Sequence, residues 1–462
     1  MKPHIAALSS VLFLALAPTS QAQVAHPGPL RVGAARVDIT PAANEWPTHY
    51  LGVLDRVYSR AIVIDNGATS AALVTVDVIS LSDAIAGRVN GRIAAELGIP
   101  VEHIVLAGTG THSSPISSGP PRPGAAPVRN AVFEDRIFDS VKQAKERLQP
   151  ARLRYGTSVS HINVNRHTID PKTRGWWEGA NYEGVSDKSV RVLEFVSPDG
   201  APIAVYYNYA VFNVIAGTLD LVSGDITGEA SRYIEESYDD TVVAALSLGA
   251  HGDQNPIFFQ QTYDLREIRI KDYAKRGEDI SNAMPPPGGV GLDRHDPTVA
   301  RLMNQQKRMV LSMGQMLGEA VLHAMRGAAQ GPSDVRIHGS FKTITCPGRQ
   351  RTNVGRSGVA GEYKDADPVD IRLGVLVVGD VAIAQVNAIP YAAIGLRLKN
   401  ASPYARTLLT TRANGMSRAG YVPDDASYAH QIFSVLNSPV KPGCGETAIV
   451  DGILDLLPPL VR

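Results

Sequence analysis

The sequence predicts a mixed α/β fold built as one large domain. Apolar runs with β character alternate with stretches of helical apolar spacing, in the order strand, strand, helix, strand from Val32 to the residues before His112. No interdomain linker and no internal repeat divides the rest of the chain. The 462 residues are 44% hydrophobic and 19% charged, enough to bury a sizeable core.

Val32 to Pro41 reads as a strand stopped by a turn, because Pro41 cannot donate to a ladder. Arg60–Asp65 and Ala71–Val78 form a strand pair across Asn66–Gly67, a strong hairpin signal. Ser82 offers an N-cap to a helix over Ala84–Leu97, which Gly98 and Pro100 end. A buried strand comes next, over Ile104–Ala107. Ser117–Pro127 is loop by composition, and Asn130–Leu148 is an amphipathic helix. Residues 152–158 are a strand, and the Trp-containing stretch Gly175–Glu183 is a polar excursion. Ser189–Phe195 and Ala201–Asn208 pair around Asp199–Gly200, a helix spans Gly228–Tyr238, and Val242–Ser247 is a central strand. Residues 275–296 are an exposed excursion. Val299–Met325 is the longest helix, its methionines filling core. Arg372–Val378 and Val381–Val386 hinge at Gly379–Asp380. Part of a helix at Gly395–Asn400, a strand at Thr407–Thr411 and a last helix at Glu446–Leu457 complete the order.

Charge excludes some partners. Lys plus Arg and Asp plus Glu both number 45, so no field of one sign recommends nucleic acid or an acidic membrane. Residues 1–22 read as a secretory signal peptide: Lys2, the apolar run Ile5–Ala17, then Ser20–Gln21–Ala22. Residues 23–462 are then the mature domain, periplasmic or secreted. No later apolar run reaches the roughly 20 residues that span a bilayer. In an oxidising compartment Cys346 and Cys444 either pair or stay separate thiols.

Two loops carry candidate chemistry. The first, Leu106–Pro115 (LAGTGTHSSP), empties a buried strand into a turn that presents His112 between hydroxyls. An imidazole so placed holds a metal, moves a proton, or is satisfied by its neighbours. The second, Gly249–Pro256, comes after the Val242–Ser247 strand and carries His251 and Asp253. Serine-nucleophile elbows, HExxH and phosphate-binding loops are absent from the sequence.

In order and spacing, these segments resemble the neutral (alkaline, non-lysosomal) ceramidase family, specifically its catalytic N-terminal domain. The likeness rests on Gly33–Pro41 ending in DITP, Thr111–His112–Ser113, Asn165–Arg166, Ser223–Gly224–Asp225, Gly252–Asp253 with Pro256, and the Tyr421 segment. It implies the catalytic fold of that family, without the trailing immunoglobulin-like domain of larger members. It also implies a secreted zinc amidase that cleaves a lipid amide with a metal-activated water. The family's zinc sits on two histidines, a glutamate and a tyrosine. His112 and Tyr421 match one histidine and the tyrosine. The second histidine falls on Phe212, with Asn213 beside it as a poor substitute, and the glutamate falls on Ile389. The serine of the family's second loop falls on Asn255.

This leaves three readings. Zinc is kept through substitutes, His251 first, then Asp253 and Asp225. Alternatively, His112 or His251 serves as base without metal. Or the chain is a catalytically inactive relative that binds a lipid or glycan. Asp253 and Asp225 steady an imidazole or cap a helix. Arg166 clamps a carbonyl or carboxylate, or forms a buried ion pair. Trp176, Trp177 and Tyr182 stack on substrate or anchor their loop. The expected function is an exported ceramidase-like hydrolase of an amide, less favoured an ester or lactone, with a modified metal site. The catalytic candidates are His112, His251, Asp253 and Arg166, and the metal candidates are His112, Tyr421, His251 and Asn213.

Overall fold

A computed structural model describes residues 27–116, 130–281, 283 and 286–460. The expected leader over residues 1–22 and the loop Ser117–Pro127 lie outside them.

Three sheets meet on one central core. The first runs in the order Ile104–Gly108, Ser70–Val76, Tyr58–Asp65, Arg31–Asp38, Gln149–Pro150. The second runs Val243–Leu248, Pro202–Tyr209, Ser189–Val196, Arg152–Val159, Ala329–Gln330. The third runs Ile337–Arg351, Tyr363–Val378, Val381–Val386, Arg406–Thr411. Side chains alternate across each strand. Ile62, Ile64, Leu73 and Val105 meet Leu193, Phe195 and Tyr206 of the second sheet and Leu376, Val378, Ile383 and Leu408 of the third. The opposite faces pack on helices. Val63, Val74 and Leu106 meet Ile85, Val89, Ile137 and Val141 of the helices Asp83–Leu97 and Asn130–Glu146. Val192, Tyr207 and Leu246 meet Ile226, Ile234, Met313 and Leu317 of the helices Asp225–Glu236 and Pro297–Arg326. Leu373, Val386 and Leu409 meet Ile394, Leu398 and Ile449 of the helices Ala392–Ala401 and Gly445–Leu454.

Each sheet contains one parallel pair joined through a helix. The pairs are Ser70–Val76 with Ile104–Gly108, Pro202–Tyr209 with Val243–Leu248, and Val381–Val386 with Arg406–Thr411. Open α/β sheets bind ligands beyond the carboxyl ends of such strands. Here three sets of carboxyl ends converge, and buried polar bonds hold them in register. Thr75 Oγ1 donates to the Leu246 carbonyl (2.7 Å), Asn208 Nδ2 to the Leu409 carbonyl (2.9 Å) and Asn414 Nδ2 to the Ile104 carbonyl (2.9 Å).

The hairpin expected at Asn66–Gly67 is present as Tyr58–Asp65 and Ser70–Val76, with Gly67 at φ 81°. The first helix is capped by the Ser82 side chain and ends at Gly98 with φ 66°. Other elements differ from the sequence reading. The polar Trp stretch is a strand, Trp176–Asn181, paired with Asn163–Ile169. Its bulge and half-buried pattern hide the alternation that marks a strand. Val243–Leu248 is an edge strand of its sheet rather than a central one. Its continuous apolar run arises because helices cover one face and the other two sheets cover the opposite face. The helix Gln260–Ala274 and the long strand Ile337–Arg351 had no sequence signal of their own. Of the long helix's methionines, Met303 and Met313 are core, while Met316 is exposed.

Cys346 and Cys444 form a disulfide, with Cα atoms 5.8 Å apart. It joins the third sheet to the start of the last helix. No helix among the described residues is long and apolar enough to cross a membrane.

Candidate active site

The carboxyl ends of the parallel strands open into a cleft of about 490 Å³. His112, Arg166, Phe212 and Tyr421 line it together with Trp177, Glu178 and Tyr263.

Of the first four, two lie just past strand ends and two lie on strands. His112 comes after Ile104–Gly108 through Gly110, whose φ of 76° makes the turn. Phe212 comes just after Pro202–Tyr209. Tyr421 lies beside Ile389 in a short parallel pair. Arg166 is on Asn163–Ile169.

The His112 imidazole is oriented by its neighbours. Its Nδ1–H donates to the carbonyls of Gly110 (3.0 Å) and Asn213 (3.1 Å), and its backbone N–H also donates to the Asn213 carbonyl (3.0 Å). This fixes the tautomer and leaves Nε2 as an acceptor. The ring is open to the cleft, so water reaches it. The protein packed round the cleft, and then the Arg412 cation, pull its pKa down to about 4. At neutral pH the ring is uncharged.

Asn213 acts through that carbonyl. Its amide Nδ2 donates to the Thr109 carbonyl (2.5 Å) and to Thr227 Oγ1 (2.7 Å), away from the cleft. His251 lies behind Phe212, the two rings meeting edge-on at 4.7 Å, and is not part of the cleft lining. Both its nitrogens are engaged: Nδ1–H donates to the Gly249 carbonyl (2.8 Å), and Nε2 accepts from Arg412 Nε (3.4 Å). Burial, with Arg412 beside it, holds its pKa well below the usual histidine value.

Asp253 is behind the cleft too. Its carboxylate accepts from the Ala392 N–H and from Asn165 Nδ2, both at 2.9 Å, and burial pushes its pKa up to about 6. It is not hydrogen-bonded to His251; it ties the Arg166 strand to the helix Ala392–Ala401. Asp225 accepts from the N–H groups of Ala216 and Ile226 (2.9 and 2.8 Å), so it anchors the loop beyond Asn213 at the start of its helix. Trp176 stacks on His430 at 4.1 Å and anchors its strand, while Trp177 lines the cleft and Tyr182 is exposed.

Two guanidinium groups dominate the field. Arg166 stands over the rings of Phe212 (4.8 Å) and Tyr421 (5.4 Å) and donates to the Gly252 carbonyl (2.7 Å). Arg412 is buried, donates to the Ile79 carbonyl (2.7 Å), and makes no ion pair among the described residues. Burial lowers its pKa to about 10. Its backbone is left-handed, with φ 53°, a conformation that costs free energy in a non-glycine residue. Sequence reasoning missed Arg412; an arginine two residues from a glycine-containing turn gives no signal by itself.

The donor set decides whether zinc fits. Phe212 and Ile389 supply no donor, the nitrogens of His251 are both engaged, and the Asn213 amide faces elsewhere. Among the described residues no three His, Cys, Asp or Glu side chains gather as a metal-holding group. Two cations already occupy the neighbourhood, and like charge opposes a dication there. The residues present do not fit the zinc that the resemblance implies.

The fold is of the mixed α/β class, with its candidate catalytic loops gathered at converging strand ends. A model of the neutral/alkaline non-lysosomal ceramidase N-terminal domain matches residues 31–264, half the chain, and the chain belongs to that family. It is 28% identical over 287 residues to the neutral ceramidase of Pseudomonas aeruginosa, a match covering 54% of this chain and 42% of that one. It is 26% identical over 254 residues to the neutral ceramidase of Drosophila pseudoobscura pseudoobscura, covering 50% and 36%. These matches therefore span less than half the length of either relative. A solved ceramidase complexed with C2 superposes with a TM-score of 0.67 at 19% identity, over 93% of this chain and 74% of that one. The crystal structure of the P. aeruginosa neutral ceramidase gives 0.65 at 18%, with the same coverage. At those identities the structural matches speak for the fold alone.

Proposed function

We propose that the protein hydrolyses the amide of an acylated, lipid-like amine, using water activated by neutral His112 without zinc. The observation that carries this is the imidazole itself: fixed at Nδ1 by two carbonyls, neutral, and open to the cleft at Nε2. Family membership supports hydrolysis, and relatives named neutral ceramidase support an N-acyl lipid as substrate class. The apolar lining from Tyr50, Val214, Leu221 and Phe259 offers room for an acyl chain.

In this reading His112 Nε2 takes a proton from water as the water oxygen bonds to the acyl carbon. The carbonyl electrons move onto oxygen, beside the Arg166 guanidinium. The C–N bond then breaks, and His112 returns the proton to the leaving nitrogen. A base of pKa about 4 is weak. Burial, and then the Arg412 charge, make it weak; the same cationic field stabilises the anionic intermediate, where a preorganised charge contributes most. Asn213 orients His112 through its carbonyl, His251 backs Phe212, and Asp253 positions the Arg166 strand.

Export belongs to the same proposal. Residues 1–22 are a cleaved leader, residues 23–462 the mature domain, and the Cys346–Cys444 disulfide suits an oxidising compartment. Amino-terminal sequencing of the exported protein is expected to begin at Gln23. Hydrolysis of N-acyl amines by purified protein, cut sharply in His112→Ala, tests the chemistry. Binding of such ligands with no turnover would instead favour the inactive relative.

A further inference from the structure

Among the described residues four arginines line the cleft: Arg166, Arg266, Arg269 and Arg356. They come from separate elements: the strand Asn163–Ile169, the helix Gln260–Ala274, which carries two, and the loop after Arg351. Glu178, on the Trp177 strand, faces two of them. Arg166 Nη1 lies 3.7 Å from one Glu178 oxygen and Arg356 Nη2 lies 3.6 Å from the other. Both are ion pairs too long to be hydrogen bonds. The other lining acid, Asp220, pairs instead with Arg294. Arg269 donates from Nη1 to the Pro286 carbonyl (2.9 Å) and from Nη2 to the Gly288 carbonyl (2.6 Å). Arg266 donates to the Ser281 carbonyl (2.8 Å).

Positive charge is therefore in surplus, and donors are left over. Arg166 is 6% exposed, yet among the described residues its Nε has no partner, and neither has the buried Nη1 of Arg356. Burial and the charge of Arg356 together pull the Arg266 pKa down to about 10. Buried donors without acceptors are costly, more so when charged. An uncharged lipid amide offers too little negative charge to offset this cluster.

We infer that the cleft is built for a substrate carrying a carboxylate or phosphate beside the scissile bond, seated on Arg166, Arg266 and Arg356. This rests on the hydrolase reading of the same cleft. Arg166 spans the two functions: its guanidinium covers the Phe212 ring at 4.8 Å, and the His112 ring lies 6.5 Å from that same ring. The anion seat thus stands one aromatic ring from the base. Planar guanidinium groups suit two-oxygen and three-oxygen anions. Trp177, Tyr263 and Phe433 supply aromatic walls around the seat.

Calorimetry with N-lauroylglycine and its neutral analogue N-lauroylglycinamide tests the inference. The acid is expected to bind about tenfold or more tightly than the amide, since hydrogen bonds to charged groups are the strong ones. Arg356→Gln and Arg266→Gln are each expected to shrink that preference about tenfold. Glu178→Gln is expected to tighten binding of the acid, by removing its competitor. A phosphate-bearing N-acyl ethanolamine distinguishes a phosphate head from a carboxylate. Inorganic phosphate alone is expected to bind far more weakly than either; tighter binding would make this a free-anion site and overturn the inference. Equal affinity for acid and amide in the unaltered protein would also overturn it. Turnover is measured in parallel. Preference for the acid without hydrolysis defeats the hydrolase reading but keeps the anion seat, whereas equal turnover of acid and amide does the reverse.

Discussion

His112 is tied at Nδ1 by two carbonyls and open at Nε2, and the base role proposed for it derives from that asymmetry. Removing it by His112→Ala is expected to lower kcat/KM by about 10²–10⁴-fold, the usual worth of a general base. Circular dichroism should be unchanged, because the ring faces the cleft rather than the core. The pH profile is a second check. A histidine normally titrates near 6.5, and this one is lowered to about 4. The working form is the neutral one, so it is present above the folded pKa and lost as pH falls through it. The acid limb of kcat/KM should therefore lie near 4, with level rates through neutrality; a limb near 6.5 would show that burial and Arg412 do not depress the His112 pKa. His112 was legible in the sequence as a strand-end loop histidine, while Arg166 and Tyr421 were legible through the family resemblance; all three line the cleft. His251 was legible as a strand-end histidine, but not its place behind Phe212. Periodicity cannot say which of two neighbouring rings faces solvent. Arg412, Arg266, Arg356 and Glu178 were illegible because their meaning lies in convergence from distant segments.

At the scale of elements, close approach of two helices fixes the second sheet beneath the site. Helix Asp225–Glu236, whose first residue anchors the Ala216 loop, lies against helix Pro297–Arg326 where the latter carries Gly314 and Gly318. A Cβ at Gly314 would collide with Glu229 Cγ and stand 2.9 Å from the Ile226 carbonyl. Gly314→Ala is expected to destabilise by roughly 1–3 kcal/mol, the cost of overpacking, measured by chemical denaturation. A neutral or stabilising change would mean the helices separate freely. Strands and helices with clean period were legible: the hairpin at Gly67 and the helix between Ser82 and Gly98 fall where turn and cap residues put them. The strand Trp176–Asn181 was not, because a bulge breaks its alternation. Nor was the helix Gln260–Ala274, whose buried residues are only Leu265 and Arg269. Pairing of Cys346 with Cys444 depends on proximity that no spacing shows.

Across the whole molecule, three sheets share one core and point their parallel strand ends at one cleft, and a disulfide with a sequence separation of 98 fastens the last helix to the third sheet. Reduction, or Cys444→Ser, is expected to cost about 2–4 kcal/mol by freeing that long loop in the unfolded chain. An unchanged denaturation midpoint under reducing conditions would contradict it. The mixed α/β class was legible from the order of periods, and it stands. The meeting of three sheets was not, since an edge strand such as Val243–Leu248, covered on both faces, reads like a central one. The same convergence brings Arg412 and Arg166 to where the resemblance implies a dication, and the proposed hydrolysis without metal follows from it. It is tested most directly by assaying N-acyl amine hydrolysis after exhaustive dialysis against a chelator. Metal-free chemistry predicts kcat/KM equal to that of untreated protein, with no gain on adding zinc. Activity lost on chelation and restored by zinc would contradict it.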